Sequence, residues 1–309
     1  MAARSSLPQL DGRTFITDGG METTLIFRDG LELPDFASFV LLDDREGVES
    51  LRAYYRSYIS IAARHGVGIV LDTPTWRANA DWGARLGYSA ERLDDVNRRG
   101  VALLAEIRAQ AEEGVEMLIS GCIGPRGDGY VVGNAMSPDE AQAYHSAQIT
   151  TFAGTTADLV SALTLNYADE ATGIARAAAE GGIPAVISFT VETDGRLPSG
   201  QELRDAVAEV DAATDGAPAY YMVNCAHPTH FEDVLADGGL ERVRGLRANA
   251  STKSHAELDE AEDLDQGDPD ELAQRYRALR PLMPGLNVVG GCCGTDERHI
   301  EAICLSWRR

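Results

Sequence analysis

Short apolar, β-prone runs alternate with longer stretches of helical periodicity along the whole chain. The apolar runs fall at 15–17, 68–72, 116–120, 158–163, 184–190, 220–224, 243–248 and 287–290, eight in all. Between them, apolar residues recur at helical spacing over 47–65, 90–113, 138–154, 169–181, 200–214, 268–282 and 297–307. Helix starts are marked by Ser137-Pro138-Asp139-Glu140 and Asp268-Pro269-Asp270-Glu271, and Gly66, Gly114 and Gly181-Gly182 mark helix ends. Repeated βα units joined by short loops predict a parallel sheet with right-handed crossovers. Eight units over a chain of this length predict an α/β fold, a closed (β/α)₈ TIM barrel running as one domain over 1–309. A doubly wound open sheet would need a GxGxxG turn after the first strand, and Asp18-Gly19-Gly20-Met21-Glu22 lacks that spacing.

In such a barrel the chemistry sits at the carboxyl ends of the strands. Asp18 ends the first strand, Thr73-Pro74-Thr75-Trp76-Arg77 follow the second, Cys225 ends the sixth, Asn249 follows the seventh, and Cys292-Cys293 end the eighth. Three thiolates meeting at this mouth would hold Zn²⁺ by three ligands and leave the fourth position open, as in catalytic rather than structural zinc sites. Packing of buried cysteines and a vicinal Cys292–Cys293 disulfide are the other readings. The metal reading is favoured by Gly290-Gly291 before the pair, Gly294-Thr295 after it, and the third cysteine at a second strand end. The glycines are expected to supply the backbone angles that turn neighbouring thiolates toward one ion.

Composition narrows the partners. The hydrophobic fraction of 44% and charged fraction of 25% are those of an ordinary globular protein. A net charge of −22 makes a polyanionic surface, so neither nucleic acid nor an anionic membrane is an expected partner. The acidic run 257–265 reads as a solvated loop or helix face. No apolar run approaches the roughly 20 residues needed to span a bilayer, and Met1 to Leu10 carry no secretory signal. Five cysteines form an odd, sparse set, which points to a reducing, cytoplasmic location. Cys122 and Cys304 read as buried, inert thiols. The sequence leaves the oligomeric state open.

Several segments together resemble the homocysteine S-methyltransferase family, zinc-dependent thiol methyltransferases that include betaine–homocysteine methyltransferase. These are Asp18-Gly19-Gly20-Met21, Gly121-Cys122-Ile123-Gly124-Pro125, Tyr144-His145-Ser146-Ala147-Gln148, Val223-Asn224-Cys225 and Gly290-Gly291-Cys292-Cys293-Gly294-Thr295, followed by His299-Ile300. The resemblance implies that Cys225, Cys292 and Cys293 are Zn²⁺ ligands and that a small-molecule thiol takes the fourth position. It further implies a methyl donor such as S-methylmethionine or S-adenosylmethionine, and homocysteine or a related small thiol as acceptor. Two other outcomes keep the same fold and zinc site: a non-amino-acid thiol as acceptor, or a zinc-binding relative without turnover. Zinc binding deprotonates a thiol, so no general base on the protein is strictly needed.

For the substrate, the resemblance places Asp18 and Gly19 near the acceptor, where Asp18 would attract an ammonium group. Asp18 also reads as a turn or helix N-cap residue. Asn224 would position a ligand cysteine or satisfy local backbone. Thr75 and Trp76 could wall the substrate, an aromatic face being attractive to a sulfonium. His145, inside a helix, reads as structural. One position departs from the family, whose usual acidic residue at the end of the fourth strand is here Leu163, followed by Thr164. A leucine cannot face an ammonium group as a carboxylate does. Either Glu22 or Asp18 takes over that task, or the acceptor is not a standard α-amino acid. Arg77 and Arg126 could meet a substrate carboxylate or be surface residues.

Overall fold

Eight parallel strands close on themselves in sequence order: β1 (Phe15–Ile16), β2 (Gly68–Asp72), β3 (Met117–Ile123), β4 (Leu159–Leu165), β5 (Ala185–Phe189), β6 (Tyr220–Asn224), β7 (Val243–Ala248) and β8 (Val288–Gly291). The seam is β1 on β8, where Phe15 pairs with Val288 and Ile16 with Val289. This computed structural model describes residues 7–111, 114–235, 238–261 and 263–307. Part of the stretch read for a secretory signal (1–6), the end of the second predicted helix (112–113) and Glu262 of the acidic run lie outside the described residues.

Each strand is followed by a helix that packs outside the barrel: α1 (Arg45–His65), α2 (Ala90–Gln110), α3 (Pro138–Ala153), α4 (Ala168–Gly181), α5 (Leu203–Thr214), α6 (Glu232–Leu235), α7 (Pro269–Leu279) and α8 (Glu297–Trp307). Seven of these carry the predicted periodicity. The exception, α6, is a four-residue turn, too short to show a period. Ser137 and Glu140 form a reciprocal capping box at α3, and Asp268 accepts the amides of Asp270 and Glu271 at α7. Gly66 and Gly182 end α1 and α4 in the left-handed region. Gly114 does not cap α2, whose cap is Ala111.

Period-2 alternation on the strands decides what fills the barrel. One buried cluster (Leu7, Phe15, Val70, Leu118, Leu159, Val186, Tyr220, Met222, Val288) fills its lower interior, and a larger one lies between sheet and helices. Two residues further along these strands the inward positions become polar: Asp72, Ser120, Ser161 and Ser188, joined by Arg247 from β7. Ser120 Oγ lies 2.7 Å from Ser161 Oγ. The interior is therefore apolar at the base and polar beneath the mouth.

Candidate metal centre

The chain leaves β6 at Asn224 and β8 at Gly291, so Cys225 and Cys292-Cys293 emerge on the same face, one strand apart. Their three sulfurs all lie within 4.8 Å of one another. Cys225 and Cys292 are joined as a disulfide between the ends of β6 and β8, with Cα atoms 5.4 Å apart, and Cys293 remains a thiol. Cysteine pairing in this structure is thus between strands and not vicinal. Cys225 Sγ and Cys293 Sγ are 3.9 Å apart. Two sulfurs of a tetrahedral ion at a Zn–S distance of about 2.3 Å are about 3.8 Å apart, so this edge already fits Zn²⁺. Reduction of the Cys225–Cys292 disulfide by an external thiol, a two-electron step, is what would give the ion its second and third thiolates. Burial pushes the Cys293 thiol up, and a thiolate here calls for a compensating cation.

The glycines of Gly-Gly-Cys-Cys-Gly act differently from the expectation. Gly290 and Gly291 do not have positive φ. Their role is room: a Cβ on Gly290 would lie 1.8 Å from Thr17 Oγ1, and one on Gly291 2.0 Å from Thr295 Oγ1. Left-handed backbone is carried instead by Gly294 (φ 79), by Cys225 (φ 54) and by Thr164 (φ 63). For a β-branched residue such as Thr164 this conformation is an outlier that surrounding contacts must hold. Asn224 does so, accepting the Thr164 amide at 2.8 Å and donating to its hydroxyl at 2.8 Å. Asn224 also accepts from Ser188 (2.6 Å) and reaches Cys292 Sγ at 3.9 Å, so one side chain ties β4, β5 and β6 to Cys292. The Cys225 carbonyl is held by Asn249 (3.0 Å) and by His255 Nε2 (2.6 Å).

A further group at the sulfurs is Tyr130, in the loop after β3. Its hydroxyl donates to Cys225 Sγ at 3.4 Å and lies 3.8 Å from Cys293 Sγ, while its ring stacks on His255 at 4.2 Å. Beneath the cysteines, Arg247 bridges Asp18 and Asp72, and all three are buried. The guanidinium also donates to the carbonyls of Gly291 (3.1 Å) and Gly19 (3.4 Å). Tyr54 donates to Asp18 Oδ2 at 3.0 Å. Burial pushes Asp18 up to about 6 against the opposing pull of Arg247, and burial likewise raises Asp72.

Residues 15–306 match the homocysteine S-methyltransferase family. The chain belongs to it. Over 97% of its length it is 26% identical to part of the methionine synthase of Mycobacterium tuberculosis (strain ATCC 25618 / H37Rv), of which it spans 25%. A 108-residue stretch, 35% of the chain, is 26% identical to 43% of the 2-C-methyl-D-erythritol 4-phosphate cytidylyltransferase of Thermobifida fusca (strain YX). The chain thus spans less than half the length of either curated relative. Among solved structures it is similar to the homocysteine methyltransferase MmuM from Escherichia coli, in a metallated form (TM-score 0.74, 21% identity, 96% of this chain and 98% of that one) and an oxidized form (TM-score 0.72, 22% identity, 96% of each). At this identity the likeness is one of fold.

The remaining residues singled out in this family member fall into two groups. At the mouth, Gly19 packs where a Cβ would meet the Thr295 carbonyl at 2.7 Å and Tyr58 Oη at 2.8 Å, which seats the Asp-Gly-Gly turn on the double-cysteine loop. Leu163 shares the inward face of β4 with Leu159 and Ser161, is buried, and belongs to neither apolar cluster. Trp76 is half-buried, and its Nε1 donates to the Leu163 carbonyl at 3.2 Å. Glu22 accepts from Ser38 at 2.7 Å, and burial raises its pKa.

The others face away or are fully used. Asp18 caps no helix, since the N-cap there is Gly20 and makes no side-chain cap. Thr75 is fully buried, with its hydroxyl on the Cys122 carbonyl at 2.8 Å, a strut between β2 and β3. Arg126 is exposed and paired with Asp81 at 2.8 Å. His145 is buried inside α3 against Glu170 at 2.9 Å. Cys122 and Cys304 are buried. Tyr130 and Arg247 carried no local motif, since a lone Tyr in a loop and a lone Arg in an apolar run read as surface residues.

Proposed function

We propose that this chain is a zinc-dependent S-methyltransferase that moves a methyl group from a small sulfonium donor, S-methylmethionine or S-adenosylmethionine, to the thiol of homocysteine or a related small thiol. The observation that carries this reading is the meeting of Cys225, Cys292 and Cys293 at the open end of the barrel, within 4.8 Å of one another. Held by these three residues, Zn²⁺ would lower the pKa of the acceptor thiol, so that its proton is released to solvent and its sulfur is kept as a thiolate.

The residues around the cysteines position and shield. Asn224 and the Thr164 turn fix the Cys292 sulfur; Asn249 and His255 fix the Cys225 backbone. The Asp18–Arg247–Asp72 bridge supports the Asp-Gly-Gly turn from below. In the transfer, the acceptor sulfur forms a bond to the methyl carbon as the donor's S–CH₃ bond breaks. The donor leaves as a neutral thioether, and the thiol proton goes to solvent. No carboxylate or imidazole touches the three sulfurs among the described residues, in keeping with a reaction that needs no protein base. The thiolate set needs a reducing compartment, which agrees with a cytoplasmic protein, and among the described residues no helix is long and apolar enough to cross a membrane.

A second reading, a zinc-binding relative without turnover, draws on Tyr130, whose hydroxyl lies where it could close the fourth position. Reduced, zinc-loaded protein incubated with thiols against sulfonium and betaine donors, with products read by mass spectrometry, separates the two. Methylated thiol is expected; a zinc site that neither exchanges its fourth ligand for added thiol nor turns over supports the second reading.

A further inference from the structure

The chain buries two arginines near the mouth and treats them in opposite ways. Arg247 is fully matched by two carboxylates and two carbonyls. Arg77, in the loop after β2, is only 9% exposed, yet among the described residues it forms no ion pair. Its guanidinium is sandwiched between the rings of Trp76 and Trp82, at 4.1 and 3.7 Å. Nη1 donates to the Gly127 carbonyl at 3.2 Å, and Nε is buried without a partner. The acids whose fields reach it are engaged elsewhere or exposed: Asp128 accepts the amides of Tyr130 and Val131, Glu22 accepts from Ser38, and Asp35 is exposed. Burial lowers the pKa of Arg77, the mark of a cation short of counter-charge. Burying an unpaired charge costs several kcal/mol, so such a group points to a partner that arrives from outside.

Its place is the rim of the metal centre. Trp76, on which Arg77 stacks, bonds the Leu163 carbonyl, and a Cβ on Gly129 would lie 3.6 Å from the Trp76 ring and 2.8 Å from Thr164 Cγ2. The next residue, Tyr130, touches Cys225. The acids near the mouth are engaged within the protein, Glu22 by the Ser38 hydroxyl at 2.7 Å. Asp18 and Asp72 are tied to Arg247, and the inward position of β4 is Leu163.

Resting on the methyl-transfer reading above, we propose that Arg77 is an anion subsite for the carboxylate of a small substrate, and that this substrate needs no ammonium group. Stacking holds the guanidinium plane and leaves its Nε–Nη2 edge for a carboxylate to meet with two parallel bonds. Trp76 and Trp82 stack on this guanidinium, which makes tryptophan fluorescence the natural reporter of a carboxylate arriving there.

The test is a fluorescence and calorimetric titration of the reduced protein with 4-(methylsulfanyl)butanoate, its amide, and 3-(methylsulfanyl)propan-1-amine. The acid is expected to bind, with the amide and the amine weaker by about tenfold or more. Arg77→Gln is expected to lose the preference for the acid over the amide. Equal binding of acid and amide by the unaltered protein overturns the proposal without any variant. So does an Arg77→Gln protein that still prefers the acid. The source of the carboxylate is read from methyl transfer with 4-mercaptobutanoate or 1-propanethiol as acceptor and dimethylsulfoniopropionate or trimethylsulfonium as donor. The KM penalty of Arg77→Gln follows whichever substrate bears the carboxylate. Binding selective for the acid with no transfer in any arm sinks the methyltransferase reading and leaves the subsite standing.

Discussion

Arg247→Met is the sharpest test of how the mouth is built, because it removes one cation from between two buried carboxylates. Asp18, Asp72 and Arg247 are 3%, 5% and 5% exposed, so neither solvent nor salt can replace the lost charge. At an effective dielectric constant of about 20, each contact at about 4 Å amounts to about 4 kcal/mol of attraction, most of it offset by desolvation. Deleting one partner forfeits the attraction and keeps the desolvation cost of the acids, for a net loss of about 3–5 kcal/mol. With an unfolding entropy of about 2.1 cal/mol/K per residue, a 309-residue chain has about 0.65 kcal/mol/K, so the melting temperature should fall by about 5–8 °C at pH 7. The effect carries a pH signature. The folded pKa of Asp18, about 6, lies above its ordinary value of 3.8, so its contribution to stability is full at low pH and is lost as pH rises through about 6. Without Arg247, which pulls both acids down, Asp18 and Asp72 shift further up, and the variant's deficit must be larger at pH 7 than at pH 5. Thermal unfolding of both proteins at these two pH values is the assay. A fall of less than 2 °C at pH 7, or a deficit that does not shrink at pH 5, refutes the account of the triad.

Four other outcomes are expected. Reduced protein should hold about one Zn²⁺ per chain, and Cys225→Ala with Cys292→Ala should abolish it; full occupancy of the double variant by elemental analysis contradicts the ligand set. Tyr130→Phe should weaken zinc by about fivefold in a chelator competition, the worth of one hydrogen bond near 1 kcal/mol, and an unchanged affinity would show that the hydroxyl contact is idle. Leu163→Glu should raise kcat/KM for homocysteine; if the parent already saturates at low-micromolar homocysteine and the variant is only damaged, the inference from Leu163 is wrong. Thiol affinity should rise with pH toward the free thiol pKa near 8.5, while single-turnover transfer at saturating thiol stays flat across neutral pH. A steep rise with a pKa near 6.5 would implicate a histidine, although burial holds His227 down at about 4 and His145 is locked against Glu170.

The barrel was legible because it rests on local rules. Short apolar runs, helical spacing, Ser137 and Asp268 as caps, and Gly66 and Gly182 as stops each act within a few residues, and each sits in the fold where the sequence puts it. The convergence of Cys225 with Cys292-Cys293 followed from the same rules, since strand ends of a closed parallel barrel share one face. What tertiary structure alone decided are the partners. Arg247 lies 229 residues from Asp18 and 175 from Asp72, and Tyr130 lies 95 from Cys225, separations at which no spacing rule operates. The same holds for conformation: the left-handed backbone at Cys225 and Thr164 is imposed by hydrogen bonds from other strands, while Gly290 and Gly291 are required by the side chains of Thr17 and Thr295. Local sequence places the three cysteines and the Asp-Gly-Gly turn at the mouth. Contacts between distant segments fix which groups there are neutralised, which are strained, and which, like Arg77, form no ion pair among the described residues.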